Sequence, residues 1–201
     1  MQDFFDNNAS LPELDSSDRE ASLCPDFTAI DFETANPAMD SACQLGLAVV
    51  QNGVIVERRD WLICPPTERF DFTYIHGITW RDVADAPDFR QLWPEIRPYL
   101  AERVIAAHNV SFDINVFFAL IKRYRIEYWH GGTIDSVTVS RRIWPHLPNH
   151  QLSTVAGHLQ IPLDHHDAAS DANACAEIIR QAEACQAGIA KRVMRWYGKR
   201  G

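Results

Sequence analysis

The first half of the chain alternates short apolar runs with turn residues, a pattern that predicts strands. The step Asn52-Gly53 separates two of these runs, and an Asn-Gly step between apolar runs is a strong short-range signal for a hairpin. Pro65-Pro66 ends the third run, because proline cannot donate to a strand ladder, and a loop follows to about Gly77. The predicted strands of this half are 27–33, 45–50 and 54–56, the last continuing toward 61–63.

From residue 89 onward, apolar residues recur at helical spacing. The stretch 89–100 keeps them on one face, although Pro94 and Pro98 are unusual inside a helix. Short apolar runs at 104–107 and 133–135 predict buried strands between helices. The remaining predicted helices are 112–124, 136–143, 151–159 and 168–187. Three successive strands, followed by strands that alternate with helices, predict a single α/β domain with a mixed five-stranded sheet flanked by helices.

Composition is that of an ordinary globular protein, with 46% hydrophobic residues in a chain of 201, which suits one domain. No apolar run approaches the roughly 20 residues of a membrane span, and the first residues lack the basic start and apolar stretch of a secretory signal. We therefore expect a cytoplasmic protein. Five cysteines without a CxxC pair argue against a disulfide framework and against a zinc ribbon.

Charge is distributed unevenly along the chain, whose formal net charge is −8. Residues 1–26 are strongly acidic and predict a flexible tail or partner-binding arm, while residues 27–187 form the predicted domain. Residues 188–201 are basic, without an acid, and predict a C-terminal tail. This tail mixes cations with Trp196 and Tyr197, as single-strand binders do, although a solubilising helix end fits equally well. A chain this acidic binds phosphate backbones poorly unless metal ions supply positive charge.

Four carboxylates and one histidine carry the candidate chemistry. Asp31 and Glu33 stand two apart on the first predicted strand, so both side chains project from one face. Asp113 and Asp171 each head the buried stripe of a predicted helix, and His166 stands five residues before Asp171. Because neighbouring carboxylates repel and a divalent cation relieves that repulsion, four acids converging at one end of a sheet predict a site for two divalent ions.

Each of these residues also has a plainer interpretation when it is taken alone. Asp113 and Asp171 are typical N-cap residues, and His166 can be a surface histidine beside His165. An acid pair such as Asp31 and Glu33 also occurs on solvated edge strands, but their apolar neighbours disfavour that interpretation. The joint occurrence of all five favours a site.

The same residues fall in motifs that resemble those of the DnaQ-like DEDDh 3′→5′ exonucleases, a group that includes the proofreading subunit of bacterial DNA polymerase III. The segments 31–34, 108–113 (H-N-x-x-F-D) and 166–171 (H-x-x-x-x-D) are similar to the first, second and third motifs of that family. The loop His76-Gly77-Ile78 resembles the family's HGI loop. The likeness spans about 27–187, with Gln44 standing where many members have a glutamate.

The resemblance implies a ribonuclease-H-like fold and two-metal hydrolysis of phosphodiester bonds at the 3′ end of DNA, with single strands preferred and nucleoside 5′-monophosphates released. It implies two ions of Mg²⁺ or Mn²⁺, with His166 as the general base. The implied metal ligands, which with His166 are the implied catalytic residues, are Asp31, Glu33, Asp113 and Asp171. The implied contacts to the terminal nucleotide are Thr34, His76, Ile78 and Asn109.

Two alternatives stay open at this point. One keeps the chemistry and changes the substrate, giving a 3′→5′ exoribonuclease that acts on short or structured RNA. The other is a non-catalytic or partner-dependent subunit of a polymerase complex, recruited through the acidic segment 1–26. A metal-dependent phosphatase of another fold would leave the order of the motifs unexplained.

Overall fold

Six strands form one mixed sheet, in the order β3-β2-β1-β4-β5-β6, in the computed structural model, which describes residues 24–127 and 129–197. The hairpins β1–β2 and β2–β3 are antiparallel, β1, β4 and β5 run parallel to one another, and β6 returns antiparallel to β5. The strands are β1 Phe27–Thr34, β2 Ala42–Gln51, β3 Val54–Leu62, β4 Ile105–Ala107, β5 Gly131–Asp135 and β6 Arg195–Tyr197.

Helices cover both faces of this sheet. The described helices are α1 Thr73–His76, α2 Trp80–Val83, α3 Phe89–Leu100, α4 Val110–Tyr124, α5 Ser136–Ile143, α6 Leu152–His158, α7 Ala168–Cys185 and α8 Ile189–Val193. Side chains of β1 alternate between the two layers: Phe27 and Ala29 pack with α5 to α8, whereas Ile30 and Phe32 pack with α3 and α4. Asp31 and Glu33 therefore belong to the face that α7 covers.

The predicted fold class, a ribonuclease-H-like mixed sheet flanked by helices, is confirmed, and the sheet has one strand more than the five predicted. The helix over 89–100 is also confirmed, with Pro94 and Pro98 both on its exposed side. None of the described helices has the length and apolar character needed to cross a membrane. All five cysteines are free, and of the two on α7 Cys175 is buried whereas Cys185 is exposed.

The structure describes the two predicted tails to different extents. The acidic arm, residues 1–26, lies outside the described residues except for its last three. Part of the predicted basic tail instead packs on the domain. Ile189, Ala190 and Val193 of α8 are buried, and β6 pairs with β5. Apolar residues spaced among the cations explain this difference, because they give the segment a face to bury.

Helix α7 lies directly on the sheet because β2 carries a glycine beneath its first turn. Gly46 is the register partner of Asp31, and a Cβ atom at Gly46 would overlap the backbone of Ala168 and Ala169. The missing side chain lets the helix start approach the strand closely. Asp171, one turn into α7, is thereby brought over the end of β1.

Candidate active site

The site begins where β1 continues past its parallel neighbour. Ala29 pairs with Ala106 and β4 ends at Ala107, so the last residues of β1 have no strand on that side. The backbone N–H of Phe32 donates instead to Oδ1 of Asp113 at 3.0 Å. Asp113 is only 2% exposed, and this bond fixes α4 against the end of β1. Asp113 is therefore held at this end of the sheet.

Three carboxylates meet at this edge. Asp31, Glu33 and Asp171 each offer an oxygen, and these oxygens lie within 4.8 Å of one another. Asp171 is 4% exposed, and its Oδ1 is buried without a hydrogen-bond partner within the described residues. Since carboxylate oxygens bind Mg²⁺ or Mn²⁺ at about 2.0–2.2 Å, three oxygens with this spacing fit a single divalent ion. The orphaned oxygen of Asp171 gains a partner when such an ion binds.

The pKa values of these carboxyl groups also indicate a cation site. Burial, together with the carboxylates of Asp113, Asp171 and Glu33, raises the pKa of Asp31 well above its usual range. Burial and the carboxylates of Asp171 and Asp113 raise the pKa of Glu33 to about 8. Burial also raises the pKa of Asp113 to about 7, although the hydrogen bond from Phe32 acts in the opposite direction. Burial also raises the pKa of Asp171. So much uncompensated negative charge is the condition that a bound cation relieves.

Asp113 stands apart from the other three acids. It is close enough to raise the pKa of Asp31, yet its oxygens fall outside the group that meets within 4.8 Å. The structure therefore brings Asp31, Glu33 and Asp171 together as one ligand set and places Asp113 beside it, bonded to the strand. This arrangement leaves Asp113 at the point where α4 meets the end of β1.

Two histidines face the acids. His166 has a left-handed backbone with φ of 73°, and its N–H donates to Oδ2 of Asp171 at 3.2 Å. The ring of His165 stacks on the ring of His166, with centroids 3.9 Å apart and planes 18° apart. His165 Nδ1 also bonds to Oδ2 of Asp171 at 3.0 Å. The sequence motifs indicate His165 only as a neighbour of His166, so this contact was missed.

Nitrogens of His165 and His166 and an oxygen of Asp171 also lie within 4.8 Å of one another. The near-parallel stack argues against a metal site formed by this second group. An imidazole nitrogen binds a metal in the plane of its ring, and two parallel rings cannot both direct their lone pairs at one ion. In this geometry we therefore assign the metal to the carboxylates alone.

These groups line a cleft of about 530 Å³. Its walls include His108, Phe112 and the segment 151–153 besides the acids and histidines. His108 is held by two bonds, from Nδ1 to Oγ of Ser136 at 2.8 Å and from Nε2 to the carbonyl oxygen of His150 at 3.0 Å. Burial lowers its pKa, so the neutral ring is favoured. His108 is therefore part of the wall, held in place by α5 and the loop before α6.

The four predicted nucleotide contacts lie around the cleft instead of within it. His76 donates from Nε2 to the carbonyl oxygen of Thr34 at 3.2 Å and accepts at Nδ1 from the N–H of Ile78. Burial lowers the pKa of His76, and the charge of nearby His166 adds to this effect. The loop 76–78 is thus tied to the end of β1. Asn109 is exposed and begins α4, beside a neighbouring depression.

Asp135 is a second residue that the sequence motifs do not indicate. Its Oδ1 accepts from the N–H groups of Asn109, Val110 and Val137, and its Oδ2 accepts from the N–H and hydroxyl of Thr138. One carboxylate therefore caps the starts of both α4 and α5, and through α4 it fixes the helix that carries Asp113. An aspartate at the end of a predicted strand was the available signal.

The chain matches the exonuclease family RNase_T over residues 28–179. That match, with the four acids and the histidine at their motif positions, shows that the chain belongs to this family of metal-dependent exonucleases, in its DnaQ-like DEDDh group.

Curated relatives include PolC-type DNA polymerases III. The protein of Caldanaerobacter subterraneus subsp. tengcongensis is 29% identical over 167 residues, which are 81% of this chain and 12% of the polymerase. That of Oceanobacillus iheyensis is 30% identical over 152 residues, 74% of this chain and 11% of the polymerase. The chain thus matches about an eighth of the length of these relatives.

Solved structures share the fold. Exonuclease X in complex with 5′-overhanging duplex DNA aligns with a TM-score of 0.66 at 22% identity, over 83% of this chain and 96% of that chain. The nuclease domain of 3′hExo, a DEDDh family member bound to rAMP, aligns with a TM-score of 0.68 at 16% identity, over 87% of this chain and 96% of that chain.

Proposed function

We propose that this protein removes nucleotides one at a time from the 3′ end of single-stranded DNA and releases nucleoside 5′-monophosphates. The observation that carries the proposal is the convergence of oxygens from Asp31, Glu33 and Asp171 within 4.8 Å, with the buried Oδ1 of Asp171 unpartnered within the described residues, in a cleft open to solvent. Membership in the exonuclease family alone does not determine the substrate. We therefore propose the sugar of the substrate, deoxyribose, and its form, a single strand.

Each residue of the site has a proposed role. Asp31, Glu33 and Asp171 hold one ion of Mg²⁺ or Mn²⁺, and Asp113, outside this set, helps to hold a second. When bound, such ions activate water and stabilise the attacking and leaving oxygens of an in-line displacement. His166 lines the cleft beside Asp171 and accepts the proton of the attacking water, a role suited to an imidazole at neutral pH.

The terminal nucleotide enters beside the loop that carries His76. The bonds from His76 to Thr34 and Ile78 hold this loop against the end of β1, next to Glu33. Ile78 is partly exposed and packs beside Ala35 and Val83, so it offers an apolar surface to the last base. Asn109 lies farther away, at the start of α4, and contacts the strand outside the cleft.

DNA is favoured over RNA by the relatives, which are DNA polymerases, and by the DNA held in the exonuclease X complex. The alternative is an exoribonuclease, and it is favoured by a fold neighbour bound to rAMP and by another that recognises a histone mRNA stem-loop. A choice between them depends on contacts to the 2′-hydroxyl, which a matched pair of substrates measures directly.

The test is digestion of 5′-labelled single-stranded DNA and RNA of the same sequence with Mg²⁺ or Mn²⁺. We expect a ladder that shortens from the 3′ end, faster on DNA, and absent with EDTA. Asp31→Asn and Asp171→Asn are expected to lose metal binding and turnover, whereas His166→Ala keeps metal binding and loses most of the rate. Asp164→Asn is the matched control, because Asp164 is an exposed acid two residues from His166 whose carboxylate has no hydrogen bond within the described residues.

Each part of the proposal has its own contradicting result. Faster loss of RNA would assign the exoribonuclease, and cleavage within a circular strand would show an endonuclease. Normal turnover by Asp31→Asn at equal metal would refute the ligand set. Binding of DNA without any cleavage, in both metals, would favour a partner-dependent subunit.

A further inference from the structure

We propose that the strand being degraded continues from the cleft over the first turn of α4 and that its backbone phosphates bind beside Arg195, on a basic surface formed by α8 and β6. The residues of this basic surface are Lys191, Arg192 and Arg195. The inference rests on the proposed function and adds the path of the substrate outside the active site.

A depression adjoins the cleft at the start of α4. His108 and Phe112 face the cleft, while the three residues between them line the depression together with Arg195. Its volume is about 110 Å³. Since a cavity needs roughly 10–15 Å³ of such volume to hold one water molecule, the depression has room for a phosphate group. A strand that leaves the cleft past Phe112 reaches this depression next.

The register of β6 determines the position of Arg195. Arg195 pairs with Thr133, two residues before β5 ends at the active-site edge of the sheet. Tyr197 lies on the same face of β6 as Arg195, and its ring contacts Phe118 of α4 at 5.8 Å between centroids. Arg195 therefore projects toward α4 and the depression, at the end of the sheet where the acids converge.

The cations of this surface have no acidic partners within the described part of the chain. Four of the described arginines elsewhere on the domain pair with acids, namely Arg59, Arg69, Arg123 and Arg180. None of the three residues of the basic surface makes a salt bridge to a described residue, and all three are exposed. On a protein with a net charge of −8, such a local excess of positive charge favours a polyanion at this position.

One acid, Asp135, lies in the depression, and its charge is largely compensated. Four backbone N–H groups and the hydroxyl of Thr138 donate to its two oxygens. The starts of α4 and α5 both point here, so their dipoles offset the carboxylate further. A phosphate beside Arg195 therefore meets little repulsion from Asp135.

The occupant is a single strand. Phe112 in the cleft wall is 36% exposed, and Trp196, next to Arg195, is 54% exposed. Exposed aromatic rings near a basic surface are the combination by which proteins bind single strands without reading their sequence, through stacking and phosphate contacts. A tract several nucleotides long would thus be bound more tightly than a dinucleotide.

The experiment compares Arg195→Ser and a triple serine variant of the basic surface with Arg97→Ser. Arg97 is an exposed arginine on α3 that does not line the depression, and it serves as the matched control. Binding of fluorescent oligo-dT of two to twenty nucleotides is measured by anisotropy in Ca²⁺, and KM is measured on the same lengths in Mg²⁺. We expect wild type to bind long strands better, and Arg195→Ser to lose about 10-fold on long strands only. The slope of log affinity against log salt should fall by about 0.7 for each phosphate contact removed.

Equal affinity of wild type for all lengths would overturn the inference, and so would an equal loss in Arg97→Ser. An unchanged length dependence in the triple variant would overturn it as well. The proposed function fails separately: if long strands bind through Arg195 but no strand is shortened in Mg²⁺ or Mn²⁺, the path stands and the exonuclease assignment does not.

Discussion

Gly46 lies directly under the backbone of Ala168, and the same glycine is the register partner of Asp31. The absence of a side chain at this one position lets the start of α7 rest on the sheet. Because Asp171 follows Ala168 by three residues, the spacing between the carboxylates of β1 and α7 depends on this contact.

Gly46→Ala is expected to destabilise the protein by about 1–3 kcal/mol, as overpacking does, and to weaken metal binding as well. The added methyl forces α7 away from β2 and draws Asp171 from Asp31. Urea unfolding and Mn²⁺ titration measure the two effects. Gly157→Ala is the control: a Cβ there meets nothing within 4 Å, and in helix α6 it should stabilise by up to about 1 kcal/mol. Equal behaviour of both variants would contradict the packing argument.

Asp135→Ala should cost about 2–3 kcal/mol of unfolding free energy, because it removes the caps of two helices at once. Asp88→Ala, which removes the capping box of α3 alone, should cost about 1 kcal/mol. Chemical denaturation of both variants in parallel gives the comparison. A cost for Asp135→Ala no larger than that for Asp88→Ala would show that α4 and α5 are held by packing.

His165→Phe keeps an aromatic ring for the stack on His166 and removes the hydrogen bond to Asp171. Groups that orient a ligand contribute about 10-fold or more to metal affinity, so the variant should need about ten times more Mn²⁺ for half-saturation. Calorimetric Mn²⁺ titration is the measurement, and His158→Phe, an exposed histidine of α6, is its control. If His165→Phe binds Mn²⁺ as tightly as wild type does, the hydrogen bond between His165 and Asp171 matters only in the metal-free protein.

His108 makes stability depend on pH in a direction that its pKa determines. Burial lowers this pKa in the folded protein, whereas the unfolded chain has the ordinary value of about 6.5. Above that pH both states are neutral and stability is unaffected; below it the unfolded state binds the proton first, so stability falls. The acids with raised pKa contribute with the opposite sign, so the informative quantity is a difference.

The corresponding measurement is the free energy of unfolding of wild type and His108→Gln between about pH 7.5 and about pH 5, a range that spans the ordinary histidine pKa. We expect the gap between the two to narrow as the pH falls, because only wild type has to keep a buried imidazole unprotonated. A gap that stays constant over this range would show that His108 titrates alike in the folded and unfolded states.

Periodicity was enough to predict most of this architecture and the position of the acids. Spacing of two on a strand placed Asp31 and Glu33 on one face, and helical spacing placed Asp113 and Asp171 at the head of buried stripes. These are local rules, and they apply because each element is long and regular. Strand β6 was missed for two reasons. Its three residues carry too little pattern, and Arg195 lies 62 residues away in sequence from Thr133, its partner on β5.

The residues that support the site were harder to predict than the acids themselves. Gly46 matters only because α7 crosses β2 at that position, and Asp135 caps two helices only because β5 ends between them. His165 contacts Asp171 because the left-handed turn at His166 folds the loop back on α7. Each depends on how distant elements meet, which a pattern along one chain does not contain.

The ribosome adds the residues of the ligand set at widely separated times. The hairpin of β1 and β2 pairs residues close in sequence, so it can form early, with Asp31 and Glu33 already on one face. Asp171 is translated 138 residues after Glu33. A nascent chain therefore presents only a partial set of carboxylates until α7 has left the ribosome and docked on Gly46.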